Sequence, residues 1–316
     1  MKDNFLLTGA TGLIGSALLM KLVAEGNNVT CPVRNKEKAK GLFEEGIYNK
    51  VQWVDLPLET YLQDVESEYN YIIHCASPTS GKYMVECPVE TYEFIIESTR
   101  TLLQYARKNS IKGMVYVSSL EYYGQNFNED IIKEDYEGYI EPTSSRSSYP
   151  LGKRAAEYLC VAYALEYNVP VKIARLTQTF GPGISADDNR VFAQFARSVI
   201  NKEDIILHTD GESAKPYCHV YDCVDAILTI LKAAVPGEAY NVANEDTYIS
   251  IRDMAEFVQK NFNPEHKVVI QKRDDMGYAP VTKLRLNTQK LRDLGWSPRY
   301  GLKEMYGDLI YSMLKV

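Results

Sequence analysis

The spacing of apolar and polar positions divides the first 176 residues into short apolar runs separated by longer amphipathic ones. Short apolar runs are typical of buried strands, and apolar residues that recur every three or four positions indicate helices. The pattern predicts strands at 4–8, 29–33, 51–54, 71–75, 113–118 and 171–176. It predicts helices at 13–25, 36–45, 89–108 and 149–167. This alternation favours an α/β fold, a doubly wound parallel sheet of the Rossmann type.

Beyond residue 176 the alternation ends at a segment bounded by Gly181, Pro182 and Gly183. The later pattern predicts a helix at 190–201, a strand at 205–208, a helix from Asp222, and short helices with loops over 249–316. We therefore expect residues 1–176 to form a nucleotide-binding domain, to which about 220–243 also contribute. Residues 177–316 are expected to form most of a smaller, interleaved α/β substrate-binding region.

A glycine-rich turn follows the first predicted strand, with Gly9, Gly12 and Gly15 spaced three apart. Such glycines allow a sharp turn, close approach of the backbone to a pyrophosphate, and tight packing of the next helix on the sheet. Three glycines could also form only a tight turn. The strand before them and the helix after them favour a dinucleotide site.

Composition and charge exclude several classes of function. The net charge of −7, without a basic stripe, argues against a nucleic-acid partner, and no apolar run is long enough to span a membrane. The six cysteines are scattered without metal-ligand spacing, so we expect reduced thiols, no metal site and a cytoplasmic protein. The first predicted strand begins near residue 4, which leaves no room for a signal peptide before it.

Tyr149 and Lys153 lie one helical turn apart and provide candidate acid–base chemistry. A lysine in this position is expected to lower the tyrosine pKa and favour the phenolate. Tyr311 and Lys315 have the same spacing, but they belong to an amphipathic terminal segment. The earlier pair follows a buried strand that ends near Ser119, whose hydroxyl is placed to orient the oxygen that Tyr149 protonates.

The chain resembles the extended short-chain dehydrogenase/reductase family, in particular its nucleotide-sugar epimerase/dehydratase group. The motifs that carry the resemblance span nearly the whole chain: the glycine-rich turn, Asp55-Leu56, Ser118-Ser119-Leu120-Glu121-Tyr122-Tyr123-Gly124, Tyr149 with Lys153, Arg175 to Pro182, Cys218 to Asp222, and Leu294 to Pro298. The resemblance implies catalytic roles for Ser119, Tyr149, Lys153 and Glu121. It implies cofactor contacts at Gly9, Thr11, Gly12, Leu13, Ile14, Gly15, Asp55, Leu56, Ala76, Ser77, Tyr149 and Lys153.

The same resemblance implies a nucleotide-activated sugar or polyol as substrate. Its expected contacts are Ser119, Gln178, Arg190, Lys215 and His219. Lys215 stands where an arginine commonly grips the substrate diphosphate, and Glu97 stands near a common asparagine. Family members often pair two long helices between subunits, so we expect a homodimer through 89–108 and 149–167.

The residues after the second predicted strand bear on the choice of cofactor. This chain has Val33-Arg34-Asn35-Lys36 there, without the acid that would hydrogen-bond the ribose 2′-hydroxyl of NAD. A guanidinium at Arg34 suits a 2′-phosphate, so NADP(H) is predicted in preference to NAD(H), with NAD(H) possible. The other interpretation of this segment is a solvated basic turn.

These features predict a hydride-transferring enzyme, and the Arg34 signal favours an NADPH-linked reductase. A 4-epimerase that retains its cofactor is the first alternative. A dehydratase or decarboxylase that uses Glu121 is another, since the segments at 74–80 and 188–191 look most like nucleotide-sugar decarboxylases. Leu120, which occupies the position of the dehydratases' second polar residue, argues against elimination chemistry. The non-enzyme alternative is an NADP-sensing scaffold protein.

Overall fold

The protein is built from parallel strands that alternate with helices. The computed structural model describes residues 2–65, 69–127, 131–273 and 281–315. Its strands are β1 (Asn4–Thr8), β2 (Asn28–Pro32), β3 (Val51–Val54), β4 (Tyr71–His74), β5 (Gly113–Ser119), β6 (Ile131–Ile132), β7 (Val171–Leu176), β8 (Gln178–Phe180), β9 (Ile205–Leu207), β10 (Ala214–His219), β11 (Ala239–Val242), β12 (Asn244–Ser250), β13 (Val268–Ile270) and β14 (Arg285–Leu286).

The helices connect these strands or extend from them. They are α1 (Leu13–Ala24), α2 (Lys36–Leu42), α3 (Glu45–Tyr48), α4 (Leu58–Gln63), α5 (Gly81–Glu86), α6 (Pro88–Asn109), α7 (Ser148–Tyr167), α8 (Val191–Asn201), α9 (Val220–Ala233), α10 (Ile251–Phe262), α11 (Gln289–Arg292) and α12 (Leu302–Leu314). Short 3-10 helices at Leu120–Tyr123 and Ser145–Ser147 flank the region between β5 and α7. In the described part of the chain, no helix is both long and apolar enough to cross a bilayer.

The central sheet contains seven parallel strands within the described residues, in the order β11-β7-β5-β4-β1-β2-β3. The strand order reverses between β1 and β4, so the loops after these two strands diverge and leave a crevice between them. A doubly wound sheet of this topology binds its ligand at such a crevice, next to the carboxyl ends of the strands. This topology confirms the predicted Rossmann-like α/β fold.

Two apolar cores cover the sheet. Leu18 and Leu22 of α1 and Ile227 of α9 belong to one buried cluster, together with the β1 side chain Leu7. Leu102 and Leu103 of α6 and Ala156 and Cys160 of α7 belong to a second buried cluster. Because successive side chains of a strand point to opposite faces, the two clusters lie on opposite sides of the sheet.

The remaining elements form a smaller region around a third core. Strand β10 pairs in parallel with β8 and antiparallel with β12, and β9 pairs with β13. Helices α8, α10 and α12 supply buried side chains to the core of this region. The chain then returns to the central sheet, because β11 pairs with β7. The two regions are therefore interleaved along the sequence.

The structure differs from the sequence prediction mainly in its short elements. The segment predicted as one helix at 36–45 forms α2 and α3 instead, separated where Phe43 leaves the helical conformation. The terminal region contains the strands β12, β13 and β14 in addition to helices. Elements of two or three residues depend on pairing with distant segments, and local patterning does not reveal that pairing.

Candidate active site

The glycine turn after β1 has two glycines that the fold itself requires. Gly9 has φ +75°, and a Cβ there would lie 2.7 Å from the backbone nitrogen of Ala76. A Cβ at Gly15 would lie 2.1 Å from the carbonyl oxygen of Gly9. Gly12 differs, because its φ is −95° and a Cβ there would lie 3.4 Å from its nearest neighbour, the same carbonyl oxygen. Packing within the chain therefore explains Gly9 and Gly15, whereas the space at Gly12 suits a close ligand.

The rest of the predicted cofactor motif surrounds this turn. Gly12 caps the N-terminus of α1, and Thr11 is half-buried beside it. Leu13 and Ile14 begin the helix and pack against the core on the α1 face of the sheet. The N-terminus of α1 thus faces the crevice with its backbone N–H groups, as an anion site requires.

The loop after β4 forms the opposite wall of the crevice. The backbone nitrogen of Ala76 donates to Thr8 Oγ1 at 3.3 Å. Ser77 lies beside the Tyr149 phenol, and its Oγ is buried without a hydrogen bond of normal geometry among the described residues. Buried hydroxyls are usually hydrogen-bonded, so Ser77 is a candidate contact for a ligand in the crevice.

Arg34, Asp55 and Leu56 follow the carboxyl ends of β2 and β3. All three side chains are exposed, and no ion pair of Arg34 is found within the described ranges. They lie at the same edge of the parallel sheet as the glycine turn. Their positions match the expected contacts to the adenosine half of a dinucleotide, which stay predictions.

The structure brings Ser119, Tyr149 and Lys153 together at the end of β5. Ser119 is the last residue of β5, and its Oγ accepts a hydrogen bond from the backbone nitrogen of Glu121 at 3.2 Å. Tyr149 is the second residue of α7 and is buried. Lys153 is 2% exposed, and its Nζ lies 5.6 Å from the centre of the Tyr149 ring.

The protonation of this group differs from the sequence expectation. Burial raises the pKa of Tyr149 above its ordinary value, the Glu121 carboxylate adds to the increase, and the Ser119 hydroxyl opposes it. The sequence analysis expected Lys153 to lower the pKa of Tyr149, whereas burial is the largest influence in the structure and raises it. Burial also lowers the pKa of Lys153 to about 8, against the opposing effect of the Glu157 carboxylate.

Glu121 and Arg146 form an ion pair at the mouth of the site, with 3.1 Å between Oε1 and Nη2. Lys215, on β10, extends toward the same pair. Burial lowers the pKa of Lys215, with the Glu121 carboxylate raising it and the Arg146 guanidinium lowering it further. The Glu121 carboxylate thus pairs with Arg146 and lies close enough to Lys215 to affect its pKa.

The sequence analysis did not identify Arg146. It lies in a serine-rich segment three residues before Tyr149, where residue type and spacing give no distinct signal. The 3-10 helix at Ser145–Ser147 turns it toward Glu121. A search for cations immediately before the catalytic helix could have found it.

Leu120 points away from this polar group. It is buried in an apolar cluster with Tyr123, Ile132, Ala243, Leu284 and Leu286. Glu97 is exposed on α6 and pairs with Arg100, so its side chain already has a partner on its own helix. Glu121 is thus the carboxylate that the structure brings to the catalytic group in the described residues.

Gln178 and Arg190 are two further predicted substrate contacts. Gln178 is half-buried on β8, beside Tyr217 of β10. The Arg190 side chain pairs with Asp188 through hydrogen bonds that include Nε to Oδ1 at 3.0 Å and Nη2 to Oδ2 at 2.6 Å. Their substrate-binding roles stay predictions.

His219 is fully buried, which does not favour its predicted contact with substrate. Its ring stacks on Tyr300 with 4.0 Å between the centroids, and Nε2 lies 3.4 Å from Asp308 Oδ2. Nδ1 accepts a hydrogen bond from the backbone nitrogen of Tyr221 at 3.2 Å. These contacts are explained by a structural role at the start of α9.

A buried ion pair between β7 and α7 supports the segment that contains Ser119 and Glu121. Arg175 of β7 donates from Nη2 to Glu157 Oε2 of α7 at 2.8 Å, and from Nη1 to the Tyr123 hydroxyl at 2.9 Å. Ser118 donates to Glu157 from the neighbouring strand β5. Arg154 donates to the carbonyl oxygen of Tyr122 at 2.6 Å. Helix α7 and the Ser119–Glu121 segment are thereby held in one arrangement.

Within the described residues, no group of three or more His, Cys, Asp or Glu side chains could hold a metal ion.

Comparison with known proteins identifies the family. A model of the NAD dependent epimerase/dehydratase family matches residues 5–243. The chain belongs to this family. This membership confirms both the predicted resemblance and the prediction of an enzyme of the short-chain dehydrogenase type, and it counts against the scaffold alternative.

Relatives within the epimerase/dehydratase family include decarboxylases and an epimerase. UDP-glucuronic acid decarboxylase 4 of Arabidopsis thaliana is 27% identical over 302 residues, which are 94% of this chain and 66% of that protein. UDP-N-acetyl-alpha-D-glucosaminuronate decarboxylase of Bacillus cytotoxicus is 28% identical over 305 residues, 93% of this chain and 92% of that protein. The UDP-glucose 4-epimerase of Thermotoga maritima has a TM-score of 0.85 at 21% identity, covering 99% of both chains, and shows a shared fold.

The two decarboxylase relatives and the family description favour the decarboxylase and epimerase alternatives over the predicted reductase. The family description also supports an NAD-type cofactor. The preference for NADP(H), which rests on Arg34, stays a prediction.

Proposed function

We propose that the protein is a nicotinamide-dependent decarboxylase of a nucleotide-linked hexuronic acid. The observation that carries this proposal is the group formed by Glu121, Arg146 and Tyr149 at the end of β5. It combines an acid–base phenol with a second carboxylate that can move a proton at carbon. The two decarboxylase relatives act, by their names, on UDP-linked uronic acids.

The crevice fits a nicotinamide dinucleotide. The open space at Gly12 and the N-terminus of α1 suit the pyrophosphate. Lys153 and Ser77 line the part of the crevice next to Tyr149, where the Ser77 hydroxyl has no partner of normal hydrogen-bond geometry among the described residues. A nicotinamide dinucleotide bound there would supply the acceptor and donor of the hydride, and its cationic ring would favour the Tyr149 phenolate.

Tyr149 moves the hydroxyl proton in this mechanism. Its phenolate takes the proton of the C4 hydroxyl while C4 is oxidised to a ketone, and Ser119 hydrogen-bonds to the ketone oxygen. The carboxylate at C5 is then β to a ketone. The C5–C6 bond breaks, CO₂ leaves, and the electron pair moves toward the C4 oxygen. Glu121 relays a proton from solvent to C5, and Tyr149 returns its proton to the C4 oxygen as C4 is reduced again.

Leu120 favours decarboxylation over dehydration. Elimination of water needs an acid to protonate the departing hydroxyl, and the buried Leu120 supplies none. Loss of CO₂ from a β-keto acid needs no such acid. The single carboxylate of Glu121 is therefore sufficient for decarboxylation.

A 4-epimerase is the second candidate, because Ser119, Tyr149 and Lys153 suffice for oxidation and reduction at C4.

The deciding experiment incubates the purified protein with UDP-glucuronic acid or UDP-glucose, each with NAD⁺ or NADP⁺. We expect release of CO₂ and formation of a UDP-pentose from the uronic acid, without accumulation of reduced cofactor. Conversion of UDP-glucose to UDP-galactose without CO₂ release from the uronic acid would assign the epimerase instead. Net consumption of NADPH with a nucleotide-linked ketose would instead support the predicted reductase activity.

A further inference from the structure

Arg146 connects the catalytic helix to the loop that follows β4. Its Nη2 lies 3.1 Å from Glu121 Oε1, and its Nη1 lies 2.9 Å from the sulfur of Met84 on α5. Ser148, two residues later, donates from Oγ to the carbonyl oxygen of Met84 at 3.1 Å. These contacts hold the guanidinium at the entrance to the site, within reach of the space in front of Tyr149.

The charges around this entrance do not balance. Arg146 and Lys215 both act on the Glu121 carboxylate, and no hydrogen bond or ion pair of the Lys215 ammonium is found in the described ranges. Among these three side chains, two are cations and one is a carboxylate, so one positive charge is in excess. A local excess of this kind favours a ligand that brings an anionic group of its own.

The pair between Arg146 and Glu121 is also easy to exchange. The two side chains are 44% and 37% exposed, and exposed ion pairs contribute little to stability. A planar guanidinium can bind a carboxylate through two parallel hydrogen bonds, and such a bond strengthens when a ligand excludes water. A substrate carboxylate can therefore replace Glu121 at little cost.

We propose that Arg146 is the receptor for the sugar carboxylate, which displaces Glu121 from the guanidinium when substrate binds. This inference rests on the proposed decarboxylase function and adds a specificity-determining residue to it. Lys215 remains available for the diphosphate of the same substrate. Glu121, released from its guanidinium partner, is then free to relay a proton from solvent to C5.

The exchange predicts an effect on binding rather than on bond cleavage. Arg146 stabilises the carboxylate of the bound substrate, whereas the departing CO₂ is neutral. Its interaction is therefore stronger before the C5–C6 bond breaks than afterwards. Loss of Arg146 should raise KM for the uronic acid while kcat stays unchanged or rises. A residue that only supports the fold would lower kcat instead.

The test compares binding of UDP-glucuronic acid and UDP-glucose by calorimetry to the protein loaded with NADH or NADPH, whichever binds more tightly, because the reduced cofactor prevents turnover. The wild-type protein should bind the uronic acid more tightly, and Arg146→Gln should lose this preference by about 10- to 100-fold without weakening the neutral sugar. Arg146→Lys should keep part of it. Glu121→Gln should tighten uronic acid binding by about two- to five-fold, because the competing carboxylate is gone.

The outcomes separate this inference from the proposed function. A preference for the uronic acid that persists in Arg146→Gln, or weaker uronic acid binding in Glu121→Gln, overturns the assignment of Arg146 while CO₂ release by the wild type still supports the decarboxylase. If the wild type binds the two sugars equally or binds neither, the receptor role is wrong. The CO₂ assay then decides the function independently. Thermal melting of each variant verifies that it is folded.

Discussion

Lys153 donates a hydrogen bond from Nζ to the carbonyl oxygen of Val117, at a distance of 2.9 Å. The bond joins the catalytic helix α7 to the strand that ends at Ser119, so the lysine is held at the base of the site. Its ammonium also lies 4.7 Å from the centre of the Tyr116 ring. Lys153 is thus partnered within the chain and poised next to the predicted nicotinamide ribose.

The low pKa of Lys153 predicts a pH-dependent affinity for the cofactor. Burial lowers this pKa to about 8, so the ammonium is present below that pH and is lost as the pH rises through it. Dissociation constants measured by fluorescence at several pH values should therefore increase above about pH 8, and Lys153→Met should bind weakly without this transition. Lys172→Met is the matched control, because Lys172 is a buried lysine that bonds to the Leu231 carbonyl oxygen. An unchanged affinity of the wild type across the range would remove Lys153 from the cofactor site.

Tyr149→Phe should abolish most turnover and leave cofactor affinity nearly unchanged, because only the proton-carrying oxygen is lost. General acid–base catalysis typically contributes about 10²–10⁴-fold, and a loss of this size in kcat is expected. Tyr158→Phe on the same helix is the control, since Tyr158 is 71% exposed. Near-normal turnover in Tyr149→Phe would place the chemistry elsewhere.

Glu121→Gln distinguishes the candidate reactions. In a decarboxylase the neutral amide cannot give a proton to C5, so turnover should fall by about two orders of magnitude or more. In an epimerase no proton leaves or joins the carbon next to the ketone, and the change should be mild. Glu97→Gln provides the comparison, because Glu97 is an exposed carboxylate paired with an arginine on its own helix.

Arg34→Asp should shift the binding preference from NADP(H) toward NAD(H). The guanidinium that suits a 2′-phosphate is replaced by a carboxylate that accepts a hydrogen bond from the ribose hydroxyl. Dissociation constants of both cofactors for the wild type and the variant measure the shift. If the wild type already binds NAD(H) more tightly, Arg34 lies on a solvated turn and does not select the cofactor.

A homodimer through α6 and α7 is also expected. The structure buries Ile95, Leu102 and Leu103 in the core of its own subunit, but Tyr158 and Leu165 are 71% and 79% exposed on α7. Sedimentation at micromolar concentration should give a dimer mass, and Leu165→Glu should shift it toward the monomer. Leu314→Glu is the control, because Leu314 is equally apolar and 64% exposed on α12. A monomer mass for the wild type would exclude the dimer.

Much of the sheet could be predicted from the sequence because each of its first strands carries a local apolar signal. Val51–Val54 and Val171–Leu176, for example, have the same bounds in the prediction and in the structure. The pairing of β8, β10 and β12 depends on segments that are distant in sequence, so local patterning missed it. The positions of Ser119, Tyr149 and Lys153 could be anticipated because their spacing reflects one strand end and one helical turn.

The electrostatics of the site could not be predicted in the same way. A lysine one turn after a tyrosine suggests a lowered phenol pKa, yet burial outweighs that effect at Tyr149. Burial is a property of the whole fold and not of the spacing. Arg146 was missed for the same reason, because only the folded loop brings it to Glu121.

The return of the chain to the central sheet at β11 constrains how this protein can change. Strand β11 pairs with β7 only after the chain has passed through β8, α8, β9, β10 and α9. The region that we propose to contact the sugar therefore cannot be exchanged as a cassette at the C-terminus, because such a cut would also remove an edge strand of the central sheet. New substrates must be reached by substitutions at positions such as Arg146 and Lys215, within an unbroken chain.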